Sequence, residues 1–138
     1  METRIYEHLG NDRVRCGICS HFCVIDPDKR GICGVRENRD GRLQSLVYPR
    51  LIATSVDPIE KKPLYHLKPG SASFSVATVG CNLKCRFCQN AGIAQMPNDR
   101  NGLIQGETIP PETVVAHALD SGSRSISYTY TEPTVYLE

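Results

Sequence analysis

The sequence predicts an α/β chain that begins a doubly wound sheet or a partial (β/α) barrel, its first two βα units, preceded by a small cysteine-rich head. Three observations predict it. Phe74-Ser-Val-Ala-Thr-Val79 is short, rich in β-formers and closed by Gly80, the pattern of a buried strand. Ser125-Ile-Ser-Tyr-Thr-Tyr130 supplies a second strand. Between them, residues 110–122 read as a helix, with Pro in the first turn, Val114, Val115, Ala118 and Leu119 along one face, and Gly122 as a C-terminal cap. A parallel strand pair joined by a crossover helix is the repeating unit of β/α architectures.

Three regions follow from the order of these elements. Residues 1–48 form the cysteine-rich head, whose strand candidate Arg42-Leu-Gln-Ser-Leu-Val-Tyr48 follows the turn signal Arg39-Asp-Gly-Arg42. Residues 49–72 form a connector rich in Pro and Lys, where proline opposes any long regular element. Its Asp57, Glu60, Lys61, Lys62 and His66 read as a solvated charged turn. Residues 73–138 form the N-terminal part of the core. A polar stretch, 90–108, carries one helical turn near residues 93–95, Thr131-Glu-Pro133 breaks the second strand, and 134–138 opens a further helix. Two strands cannot close a barrel and the second keeps an open edge, so the core is expected to be truncated at its C-terminal end.

Composition narrows the function. The chain has 138 residues, enough for one small domain or a domain with an annex. Sixteen Lys+Arg face 15 Asp+Glu, which gives no basic stripe for nucleic acid or an anionic membrane. No long apolar run spans a bilayer, and the charged start lacks a secretory core, so a cytoplasmic protein is expected. Seven cysteines stand out. An odd count without a secretory signal favours metal ligation over disulfides.

The cysteines fall in two groups. Cys81, Cys85 and Cys88 are spaced C-x3-C-x2-C in a polar loop with Asn82, Lys84, Arg86 and Gln89, just after the first buried strand. That is where β/α folds place active sites. Three thiolates are one short of a closed zinc or iron–sulfur site. A cubane held by three cysteines keeps one iron open to a further ligand. Cys16, Cys19, Cys23 and Cys33 supply four thiolates, a full set for zinc or for a second iron–sulfur cluster, with zinc slightly favoured. His21 reads as a solvated side chain, His117 as helix surface, and Tyr128 and Tyr130 share one side of the second strand.

Cys81-Asn-Leu-Lys-Cys85-Arg-Phe-Cys88 resembles the C-x3-C-x-aromatic-C signature of radical S-adenosylmethionine enzymes, with Phe87 at the aromatic position. Further segments sharpen the likeness: Cys16-Gly-Ile-Cys-Ser-His-Phe-Cys23, Arg30-Gly-Ile-Cys-Gly-Val-Arg-Glu-Asn38, Asp57-Pro-Ile-Glu-Lys-Lys-Pro-Leu-Tyr-His66, Cys88-Gln-Asn90 and Ser127-Tyr-Thr-Tyr-Thr-Glu-Pro-Thr134. Together they resemble the AmmeMemoRadiSam-system radical SAM enzymes, relatives of pyruvate formate-lyase activating enzymes. The resemblance runs along nearly the whole chain.

The resemblance implies that Cys81, Cys85 and Cys88 hold a [4Fe–4S] cluster whose open iron takes S-adenosylmethionine. It implies reductive cleavage of that cofactor to a 5′-deoxyadenosyl radical, which abstracts hydrogen from a substrate the sequence does not name, a protein being one candidate. A low-potential flavodoxin or ferredoxin would donate the electron. Thr131, Glu132 and Pro133 resemble a degenerate Gly-Gly-Glu-Pro segment that contacts the S-adenosylmethionine ammonium, with Tyr130 and Thr131 in place of the glycines. Phe87 would pack on the adenine or fill core. The residues alone leave two other readings: a zinc-stapled binding module without catalysis, and an inactive N-terminal fragment of such an enzyme.

Overall fold

A computed structural model describes residues 1–138. The barrel-start expectation is overturned. Ten short strands in four small sheets dominate, and five of the six strand pairings are antiparallel. Of three helices, α1 (Ala91–Ala94) and α2 (Met96–Asp99) are single turns, and only α3 (Pro111–Asp120) is longer.

The head begins with a three-stranded antiparallel sheet of β1 (Tyr6–His8), β2 (Val14–Cys16) and β3 (Val24–Ile25). Alternation along β2 turns Val14 and Cys16 inward and Arg15 outward. These two pack with Ile25 and Leu43 in one core cluster. β4 (Arg36–Arg39) and β5 (Arg42–Ser45) make a hairpin whose two-residue turn, Asp40-Gly41, has positive φ at both positions. That is the turn whose twist matches paired strands, and Asp-Gly is its preferred pair.

The connector departs most from expectation. Between β6 (Arg50–Leu51) and a 3-10 turn at Ile59–Lys61 lies β7 (Ala53–Pro58), a six-residue strand. Proline did not prevent it because Pro58 closes the strand, at the last pair with Ala72. β7 runs antiparallel to β8 (Ala72–Ala77), and β10 (Ser125–Tyr128) runs parallel to the other edge of β8. An antiparallel neighbour on the central strand gives a mixed three-stranded sheet and not the all-parallel start of a barrel. β6 pairs instead with β9 (Glu107–Thr108).

α3 covers one face of this sheet. Phe74 and Val76 of β8 pack against Val114 and Ala118. Val115 and Leu119, expected on the same apolar face, are exposed, because α3 buries a narrower stripe than its sequence offers. The opposite face of β8 carries Ser73 and Ser75, both fully buried. Ser73 Oγ pairs with Ser127 Oγ at 2.6 Å, and Ser75 Oγ donates to Asp57 at 2.8 Å. This interior is therefore polar and hydrogen-bonded, as buried hydroxyls require. A third core cluster, Cys33, Val35, Val47, Val79, Met96 and Val135, joins the head to the sheet. Residues 134–138, expected to open a helix, instead form a 3-10 turn at Pro133–Tyr136.

No helix of the chain is long and apolar enough to cross a membrane.

Candidate functional site

β8 ends at Ala77, and the chain then passes through Thr78, Val79 and Gly80 into the loop that carries Cys81, Cys85 and Cys88. The loop holds no helix or strand until Asn90 opens α1. Its root is fixed by close packing against the head. A Cβ on Gly80 would lie 2.3 Å from Val35 Cγ1 and 2.8 Å from the Cys33 carbonyl oxygen, and Gly80 has φ +89. Only glycine fits there. The Gly80 N–H donates to the Ile93 carbonyl at 3.1 Å, which draws the two ends of the loop together.

Within the loop the thiols differ in access. Cys81 is buried, Cys88 is half-buried and Cys85 is exposed. The Leu83 N–H points at Cys81 Sγ at 3.4 Å. Gln95 Nε2 donates to the Leu83 carbonyl at 2.9 Å and braces the same turn. Phe87 is 87 % exposed, so it fills no core.

The four head cysteines sit around the β2–β3 hairpin. Cys16 ends β2, and its N–H donates to the Cys23 carbonyl at 2.9 Å. Cys19 lies in the connecting turn, where Phe22 takes φ +44 and donates its N–H to the Cys19 carbonyl. A Cβ on Gly31 would lie 3.6 Å from Cys23 Sγ, which places the segment leading to Cys33 beside the hairpin. Burial pushes the Cys16 and Cys33 thiols up, against the lowering effect of backbone N–H groups and of Arg36.

All seven cysteines are free. Neither set converges: no three His, Cys, Asp or Glu side chains lie close enough together to hold a metal ion. The donor chemistry of the Cys81 loop nonetheless suits an iron–sulfur cluster. It offers three unpaired thiols on one irregular, largely exposed loop and a backbone N–H already directed at a sulfur.

Comparison with known proteins adds one relative. No family model matches the chain, and no solved structure matches it. A protein of Methanocaldococcus jannaschii, described as uncharacterized, is 44% identical over 137 residues. The match takes in 99% of this chain and 40% of that protein, so the chain spans well under half of its relative's length.

The remaining predicted positions are scattered in role. Thr131 is buried, and its hydroxyl donates to the Thr78 carbonyl at 3.1 Å. Glu132 caps the following 3-10 turn through its bonds from Thr134 N–H and hydroxyl, and Pro133 opens that turn. His21, expected to be solvated, is exposed yet donates from Nε2 to the Asn82 carbonyl at 2.9 Å. The head thus touches the cysteine loop directly.

Asp57 is the residue that sequence reasoning placed wrongly. It is 4 % exposed, at the centre of a bonding cluster and not in a solvated turn. Oδ1 accepts from Lys61 Nζ at 2.8 Å, and Oδ2 accepts from Lys62 Nζ at 2.6 Å, Ser75 Oγ at 2.8 Å and the Tyr130 hydroxyl at 2.5 Å. Burial alone would raise the Asp57 carboxyl, but these four donors outweigh it and hold it far below the usual carboxylate range. The missed signal was Ile52-Ala-Thr-Ser-Val56, a β-rich run that carries Asp57 into the sheet as its next residue.

A cavity of about 460 Å³ is lined by Val47, Leu51, Val76, Ile109, Val114 and Tyr136 among others, and by no cysteine. Its wall also includes Thr78, three residues before Cys81, and Pro133.

Proposed function

We propose that this chain carries the cluster-binding segment of an iron–sulfur enzyme of the radical S-adenosylmethionine class, acting on an unidentified substrate as glycyl-radical activases do. The observation that carries the reading is the loop itself: three free thiols within eight residues, Cys81, Cys85 and Cys88, rooted beyond the end of a buried strand. The motif likeness of the surrounding segments supports it. When bound, a [4Fe–4S] cluster with S-adenosylmethionine supplies one-electron cleavage of a carbon–sulfur bond and a carbon radical that takes hydrogen from a substrate.

The chain's own residues have narrower tasks. Cys81, Cys85 and Cys88 would be the three protein ligands, Cys81 buried at the loop root, Cys88 half-buried and Cys85 exposed. The Leu83 N–H would bond the Cys81 sulfur and temper its charge. Phe87, exposed and unpacked, is available to an adenine ring. Thr131, Glu132 and Pro133 would bind the amino acid end of S-adenosylmethionine. Cys16, Cys19, Cys23 and Cys33 would take a separate metal, zinc before a second cluster, that braces the head. A low-potential flavodoxin or ferredoxin would serve as donor, and the cytoplasm as location.

The test is anaerobic. The protein is reconstituted with iron and sulfide, reduced, and supplied with S-adenosylmethionine, while iron, acid-labile sulfide and 5′-deoxyadenosine are measured. The expected result is about four irons assigned to this loop, lost in Cys85→Ala. Iron retained equally by Cys81→Ala, Cys85→Ala and Cys88→Ala would refute the ligand assignment.

A further inference from the structure

Tyr130 has φ +65, a left-handed conformation that favours glycine and is rare for an aromatic residue. Something must hold it there. Two contacts do so from the side chain. The hydroxyl donates to Asp57 Oδ2 at 2.5 Å, and the Lys62 ammonium sits 5.0 Å from the ring centroid. Asp57 in turn is fixed by Lys61, Lys62 and Ser75. The turned backbone presents the Tyr130 carbonyl to Asn90, whose Nδ2 donates to it at 3.0 Å.

Asn90 is two residues past Cys88. Its own carbonyl accepts from the Ile93 and Ala94 N–H groups, so it begins α1, whose Ile93 is bonded back to Gly80. A continuous path therefore runs from Asp57 through the Tyr130 side chain and backbone to Asn90, the downstream anchor of the cysteine loop.

We propose that Asp57 is a positioning residue for this loop: through Tyr130 it holds the Asn90 anchor and so sets how freely Cys88 moves. The value of such an anchor as a support for a metal ligand rests on the function proposed above; the geometry does not. A hydrogen-bonded brace behind the ligand-bearing segment is what a metal loop needs to reach one arrangement.

The test uses reduced protein in chelator and follows alkylation of each cysteine by iodoacetamide and mass spectrometry. Tyr130→Phe keeps the ring and removes the hydroxyl. It should speed Cys88 alkylation by about three- to tenfold and leave Cys19, in the head, unchanged. Asn90→Ala breaks the path at its far end without touching Asp57 and should do the same. Tyr130→Phe combined with Asn90→Ala should be no faster than either alone, since both cut one path. Lys61→Ala, at an exposed donor that leaves Lys62, Ser75 and Tyr130 on Asp57, should have little effect. Equal acceleration of Cys88 and Cys19, or an unchanged Cys88, would overturn the proposal. Failure of the wild-type protein to take up iron would count against the cluster reading alone, because the alkylation readout needs no metal.

Discussion

His21 Nε2 donates to the carbonyl oxygen of Asn82 across 2.9 Å, joining the turn between two head cysteines to the loop between two others. One weak, exposed bond would not hold these parts together. Gly80 shows that the contact is broader, because its Cα packs against Val35 and the Cys33 carbonyl with no space for a methyl group. The two cysteine groups, 48 residues apart from Cys33 to Cys81, thus share one wall.

Gly80→Ala is expected to destabilise the protein by about 2–4 kcal/mol, overpacking and a left-handed backbone acting together. Urea denaturation measures it. A loss under about 1 kcal/mol would mean that Val35 and the Cys33 carbonyl give way freely, and that the shared wall is loose.

Thiol access gives a second prediction. In reduced, chelated protein Cys85 should alkylate first, with Cys16, Cys33 and Cys81 at least about tenfold slower, since buried thiols react only through local opening. Peptide mapping over a time course reads the order. Alkylation of Cys81 as fast as Cys85 would show that the loop root does not bury Cys81.

The parts legible in the sequence were those written in local chemistry. The Phe74–Val79 run, the proline-started helix and the Asp40-Gly41 hairpin turn each use residues whose backbone preference and burial agree. The barrel expectation failed because it assigned β8 only parallel neighbours. β7 took one edge, and its sequence was obscured by the prolines and lysines that follow it. Asp57 was misread for the same reason. A charged residue next to proline looks solvated until the strand before it turns the carboxylate onto Ser75, Lys62 and Tyr130, which are distant or unremarkable in sequence. The cysteine spacing could be read, but its convergence could not, because three thiols on an irregular loop are placed by packing and by whatever they bind.

Asp57 sets an acid limit. Its carboxyl is held far below the usual range in the folded state, so its contribution is present above the unfolded value near 3.9 and is lost as pH falls below it. Glu37 and Glu138 are shifted in the same direction, Glu37 by Arg30 and Arg39 and Glu138 chiefly by Arg36, each against its own burial. Stability should therefore decline from about pH 5 downward. Asp57→Asn should flatten that slope and cost about 3 kcal/mol at neutral pH, because Lys62 is left largely buried without its anion. Urea midpoints from pH 3 to 7 measure both, and an unchanged slope in Asp57→Asn would rule out this source.

Arg36 and Glu138 provide the last prediction. The Arg36 guanidinium, 1 % exposed, bonds Glu138 with both terminal nitrogens, Nη2 at 2.7 Å from Oε2, and Nη2 also donates to the Val135 carbonyl at 3.0 Å. Its Nε is buried without a partner. The charge is thus compensated by one carboxylate, and a buried pair of this kind contributes little net stability while either half alone is costly. Glu138→Leu should destabilise by about 3 kcal/mol, and Arg36→Met should likewise strand a half-buried carboxylate. The double variant Arg36→Met with Glu138→Leu should recover most of the loss, since apolar replacement removes both desolvation costs and the unpaired Nε together. Urea denaturation of the four proteins closes the cycle. A double variant as unstable as the two single losses added would show that the residues do not act as a pair, and that the head is joined to the 3-10 turn at Pro133–Tyr136 by apolar packing around Val35 and Val135 instead.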